Sequence, residues 1–179
     1  MRQALADFPR KDEVSVRIHA FLLQPELDQT LDESEPDFLA RTKGMTRDEV
    51  EKALESVSAL ARQDGIELDW DSTKVAPTTN AHRLVGLARE IDIENDTTTG
   101  PDTLELRVHE ALQRSRFQYG MDVANPESLI NLAQDFDIDG SRVLAALESQ
   151  ETAGEVFSDF QIGVQIGIGA VPVFIFDQA

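Results

Sequence analysis

Apolar and polar positions along the chain keep two rhythms. Early on, in Glu13-Val-Ser-Val-Arg-Ile-His-Ala-Phe21, Val14, Val16, Ile18 and Ala20 take every second place. That is the period of a strand with one covered face. Ahead of it, Met1 to Phe8 reads as the last turns of a helix, with Leu5 and Phe8 on one side and Pro9 as its stop. Behind it, Pro25 and the acidic stretch Asp28 to Glu35 read as a loop. The long middle then runs at helical spacing. Thr46 and Glu49 have capping-box spacing, followed by an apolar stripe of Val50, Ala53, Leu54, Val57, Leu60 and Ala61, with Gly65 as stop. Thr79 or Asn80 caps a second helix carrying Leu84, Leu87, Ala88 and Ile91. After the polar loop Asn95 to Gly100, Pro101 suits the first turn of a third helix that ends near Tyr119. Asn125-Pro126 repeats the cap-then-proline signal for a fourth through Phe136, and Asp139 or Ser141 opens a fifth. A sixth is expected from about Thr152 to Ile166, with Val156, Phe160 and Val164 inward and Phe157 a further candidate. The end changes character: Gly167-Ile-Gly-Ala-Val-Pro-Val-Phe-Ile-Phe176 reads as a buried strand with Pro172 at its start, where a proline is tolerated.

Composition narrows the functions open to this chain. Its 179 residues suffice for one domain or for one domain with an insertion. The formal net charge of −18 sets a field that repels phosphate backbones, so nucleic acid and anionic membrane are poor partners. Four of the 16 basic residues are lysine, a surface that suits high salt as well as plain solubility. No apolar run has the length to span a bilayer and the start lacks a signal-peptide pattern, so a cytoplasmic protein is expected. There is no cysteine, which removes a disulfide, a thiolate nucleophile and a thiolate-bound metal from these residues. The histidines His19, His82 and His109 are too scattered for a metal-ligand pair. No catalytic residue, metal or cofactor is expected.

Four segments carry a family resemblance. Phe21-Leu-Leu-Gln-Pro25, Asn80-Ala-His-Arg-Leu84, Arg116-Phe-Gln-Tyr-Gly-Met-Asp122 and Gly169-Ala-Val-Pro-Val-Phe174 stand in this order between a strand and a final apolar segment. Together they resemble DsbA/FrnE-like proteins of the thioredoxin superfamily, over about Met1 to Phe176. Ala170 stands where that family usually has glycine. The resemblance implies an α/β, thioredoxin-like fold with a large all-helical insertion, mostly α by residue count. It divides the chain into a partial core at 1–35, a helical insertion at 36–150 and a return to the core at 151–179. It also implies that the first and last strands of the sheet are missing, because the chain begins inside what would be the helix after the C-x-x-C motif.

What the resemblance implies for function centres on Val171-Pro172. In the superfamily the equivalent peptide bond is cis, and the residue before the proline offers its backbone to an extended peptide or a small thiol substrate. His82 and Asn80 are further candidates for a binding groove, although a helix histidine packed near its cap and a plain N-cap explain them as well. Trp70 suits a core or rim position. Thiol–disulfide oxidoreductase or isomerase activity is the family's function, and it cannot be performed by residues without a thiol. A redox-inactive peptide-binding module is the alternative. A glutathione-dependent isomerase related to 2-hydroxychromene-2-carboxylate isomerases is a third reading. With its central strand missing, the sheet is expected to need either a longer chain, a homodimer or a strand-supplying partner.

Overall fold

The computed structural model describes residues 1–176. Helices dominate it: α1 (Arg2–Ala6), α2 (Glu35–Lys43), α3 (Arg47–Gln63), α4 (Thr79–Glu94), α5 (Leu104–Tyr119), α6 (Pro126–Gln134), α7 (Gly140–Glu148) and α8 (Gln150–Gln165). Two short strands, β1 (Leu31–Ser34) and β2 (Lys74–Val75), pair antiparallel with Leu31 opposite Val75 and Ser34 opposite Lys74. Residues 177–179, the end of the third expected segment, lie outside the described residues. No described helix is long and apolar enough to cross a membrane.

Local capping chemistry sets most of the helix starts. The Thr46 hydroxyl accepts from the Glu49 N–H while the Glu49 carboxylate reaches back to the Thr46 N–H, a complete capping box for α3. Asn125 caps α6 with Pro126 in its first turn, and Asp139 caps α7 through Ser141 N–H. Three starts depart from expectation. Thr103, with its hydroxyl accepting from Leu106 N–H, opens α5, so Pro101 lies in the turn before the helix. Thr78 precedes α4, and Asn80 is not its cap: the Asn80 amide donates instead to the Ala124 carbonyl at 2.9 Å. Ser149 opens α8 ahead of the expected Thr152, accepting from Glu151 and Thr152 N–H.

The core is built by α4, α5, α6 and α7, where Leu84, Ala88, Val108, Leu129, Ala133 and Val143 have no exposed surface. Burying such side chains is the main favourable term in folding. Helix α3 stays outside this core and packs on α2. Its stripe is therefore only half covered: Val50 is buried, but Val57 is 49% and Leu60 65% exposed.

The acidic stretch expected to be loop forms β1 and the start of α2. Ser34 caps α2 by accepting from Asp37 N–H, and Pro36 sits in its first turn. The two segments expected to be strands run without ladder hydrogen bonds. Residues 14–20 keep the expected alternation of covered and exposed side chains, but no described strand bonds to them. Residues 171–176 are exposed throughout rather than buried, and Val164 and Phe157 of α8 are each 54% exposed rather than inward. The physical reason is the same for both: strand and helix face carry the apolar residues of a covered surface, and no described element covers them.

Leu84→Ala removes a side chain with no exposed surface and is expected to destabilise the fold by about 2–5 kcal/mol. Leu60→Ala in the uncovered stripe is expected to change stability by less than about 0.5 kcal/mol. Urea unfolding followed by circular dichroism measures both.

Candidate functional site

The residues singled out by sequence lie in two separate places. His82 and Asn80 belong to the first turns of α4, whereas Val171 and Pro172 belong to the irregular tail after α8. Asn80 ties the start of α4 to the loop before α6 through the Ala124 carbonyl, a structural role.

His82 lines a cleft of about 140 Å³ between the extended segment, α4 and α8. Arg83, Arg89, Glu105, Glu155 and Asp159 line it too, while Val171 and Pro172 do not. Burial, reinforced by the positive charge His109 would carry, pushes the His82 imidazole down to about 4, against which Asp159 and the Phe21 backbone act only in part. His82 is thus neutral near pH 7, poorly suited to be a cation for an anionic ligand.

Two carboxylates in the cleft hold the extended segment. Glu105, 3% exposed, accepts from Ile18 N–H at 2.7 Å and from Arg89 at 3.2 Å. Burial raises its pKa, with the Ile18 N–H and Arg89 opposing. Asp159 accepts from Ala20 N–H at 3.0 Å and lies 2.9 Å from His19 Nδ1. The Arg83 Nη1 donates to the Leu147 carbonyl at the end of α7, while its buried Nε has no partner among the described residues. Sequence reasoning missed Glu105 and Asp159, since nothing local separates them from the chain's other 32 acids. Trp70 is half-buried away from the cleft: its indole N–H donates to Ser58 at 2.9 Å and its ring packs edge-on against Phe117.

At the tail, the Val171–Pro172 peptide bond is cis. Val171 is 47% exposed, and no described group hydrogen-bonds to its backbone. The apolar run Val171 to Phe176 therefore presents backbone donors and acceptors with no partner among the described residues, next to exposed side chains. No described cluster of histidine and carboxylate side chains has metal-binding geometry.

The sequence model of the DSBA-like thioredoxin domain matches residues 1–179. Among solved structures, the chain is similar to a probable DsbA oxidoreductase from Streptomyces coelicolor. Identity is 27% and the TM-score 0.74, over 95% of this chain and 69% of that one. It is also similar to a putative protein disulfide isomerase from Nitrosomonas europaea. There identity is 24% and the TM-score 0.54, over 70% of this chain and 58% of the other, which speaks for fold alone. No curated protein matches.

The His82 imidazole gives a pH dependence of stability. Its folded pKa near 4 lies below the usual 6.5, so between these values the unfolded chain binds the extra proton and stability falls with falling pH. From pH 7 to about pH 4.5 the loss attributable to His82 is expected to be on the order of 2–3 kcal/mol. The difference between wild type and His82→Gln in urea unfolding across this range isolates it from Glu105, whose raised pKa acts in the opposite direction.

Proposed function

The chain belongs to the DSBA-like thioredoxin domain family, and from that premise we propose that these residues form the polypeptide-holding part of a DsbA/FrnE-type thiol–disulfide oxidoreductase, with no redox group of their own. The fold is thioredoxin-like and mostly helical, with a small two-stranded sheet. The observation that carries the reading is Val171: half exposed, at a bend beside Pro172, and with both its N–H and C=O free of described partners. Such a residue is ready to pair with an extended substrate by strand addition, in which main-chain bonds give affinity and flanking pockets give preference.

The chemistry of disulfide exchange needs a thiolate to attack a disulfide sulfur and a second thiol to release the mixed disulfide. Neither thiol exists among these 179 residues. The residues described here therefore bind and orient a polypeptide, and any exchange step uses a thiol from outside them. The apolar character of residues 171–176 favours an unfolded or extended stretch rich in hydrophobic side chains, which is the state in which a polypeptide exposes its cysteines. The −18 charge favours a neutral or basic substrate over an acidic one.

The purified chain is expected to show no turnover in insulin reduction, followed by turbidity. It is expected to bind a reduced, carboxymethylated, extended polypeptide, followed by fluorescence anisotropy. Val171→Pro deletes the free N–H from a segment that makes no bond with it, so helicity should be unchanged while binding weakens by about tenfold or more. Unaltered binding by this variant sinks the reading.

A further inference from the structure

A glycine stands at position 86, inside α4, where the backbone does not ask for one. Its φ is not positive, and a Cβ placed there would meet no atom within 4 Å. Glycine inside a helix costs stability relative to alanine, so the physical effect of Gly86 is the space it leaves. That space belongs to the cleft of about 140 Å³ beside His82, where Val85 and Val156 supply apolar wall on either side. Pockets for drug-sized ligands hold ~300–1,000 Å³, so an occupant of this one is small.

The charges around this space are separated rather than paired. Arg83, Gly86 and Glu90 follow one another at i, i+3 and i+7, so a guanidinium, a gap and a carboxylate lie in order along one stripe of α4. Seven residues of helix put about 10 Å between the first and last Cα. Burial and the charge of Glu155 on α8 hold the Glu90 carboxyl above the usual carboxylate range, with Glu94 and Glu151 adding to this and Arg142 opposing it. Neither Glu90 nor Glu155 has an ion pair among the described residues, and neither have Arg83 and Arg17, which line the same cleft. Arg83 donates from Nη1 to the Leu147 carbonyl and keeps a buried Nε without a described partner. Glu105 and Asp159 are different: both are already engaged by the extended segment. Opposite charges that line one small cleft without meeting leave a place for a molecule that carries both.

We propose that this cleft binds a small linear zwitterion, an ω-amino acid whose carboxylate meets Arg83 and Arg17, whose ammonium meets Glu90 and Glu155, and whose methylenes lie over Gly86. The distance between the charged ends of the stripe selects against α-amino acids, in which ammonium and carboxylate share one carbon. A plain amine leaves the guanidinium end unanswered, and a plain carboxylate leaves the glutamate end so. The acidic field of the chain attracts any cation, but it gives no advantage to a molecule of zero net charge, so preference for the zwitterion comes from the cleft itself. The site uses no group of Val171 or Pro172 and stands without the reading given for those residues.

The test titrates the full chain with 5-aminopentanoate, followed by calorimetry, beside pentylamine and pentanoate, which each keep one charge and the same chain length. The zwitterion is expected to bind one per chain, and each single-charge analogue to bind about tenfold or more weakly. Glu155→Gln, at an exposed position, is expected to weaken 5-aminopentanoate by about tenfold and to leave pentanoate no weaker. Gly86→Leu fills the gap with a side chain that helices favour, so binding is expected to be lost while the thermal midpoint stays or rises. The proposal is overturned if 5-aminopentanoate does not bind or if pentylamine binds as well, which assigns the effect to the acidic surface alone. It is overturned equally if pentanoate binds as well, if Glu155→Gln changes nothing, or if a folded Gly86→Leu still binds. Should Gly86→Leu fail to fold, the two analogues and Glu155→Gln decide alone.

Discussion

A single buried carboxylate joins the helical body to the extended segment beside the His82 cleft. Asp92, 4% exposed near the end of α4, accepts from Thr97 Oγ1 at 2.9 Å, Leu104 N–H at 2.9 Å and Glu105 N–H at 2.8 Å. A carboxylate at the first N–H groups of a helix satisfies donors that have no partner inside it, and meets the positive end of the helix dipole. Isolated in a core the same charge would cost several kcal/mol. The α4–α5 pairing is thus a condition for burying Asp92, and Asp92 in turn fixes where α5 begins. That start places Glu105 one residue inside the helix, where it holds Ile18 N–H and Arg89. The extended segment hangs on the helices through this relay, with Asp159 of α8 as its second anchor.

The same relay explains why the cleft around His82 and the tail around Val171 have different characters. Toward the extended segment the cleft is closed off by its own ion pairs and backbone bonds, with Glu105 and Asp159 already engaged and His82 held neutral. The tail has no such partners among the described residues. Without a cysteine in the chain, it offers only exposed backbone and apolar side chains, which is why polypeptide binding is the function proposed for it. Main-chain pairing in general needs no thiolate beside it, so the proposed recognition and the redox chemistry are physically separable.

Much of the architecture was legible in the order of residues. Thr46 with Glu49, Asn125 with Pro126, and Asp139 each mark a helix start that the structure retains, because a cap is decided by donors and acceptors within about three residues. The alternation Val14, Val16, Ile18, Ala20 survives as alternate burial even without a ladder. The family, too, was readable from the ordered segments around Phe21, Asn80, Arg116 and Val171. Other features were not legible. Leu31–Ser34 reads as acidic loop and becomes a strand because Lys74–Val75 arrives beside it from beyond α3. Asn80 reads as a cap and bonds instead to Ala124, 44 residues away.

By itself, then, the sequence determined where most of the helices lie, the absence of thiol chemistry within these residues, and the kinship. Tertiary structure alone decided which edge of the extended segment is closed, through Glu105 and Asp159 from two different helices, and which apolar residues stay uncovered, Phe157, Val164 and Val171 to Phe176 among them. The division follows from range. Caps and periodicity are settled by atoms a few residues apart, whereas the pairing of a backbone edge or the burial of an apolar face depends on whether a second surface, distant in the chain, comes to meet it.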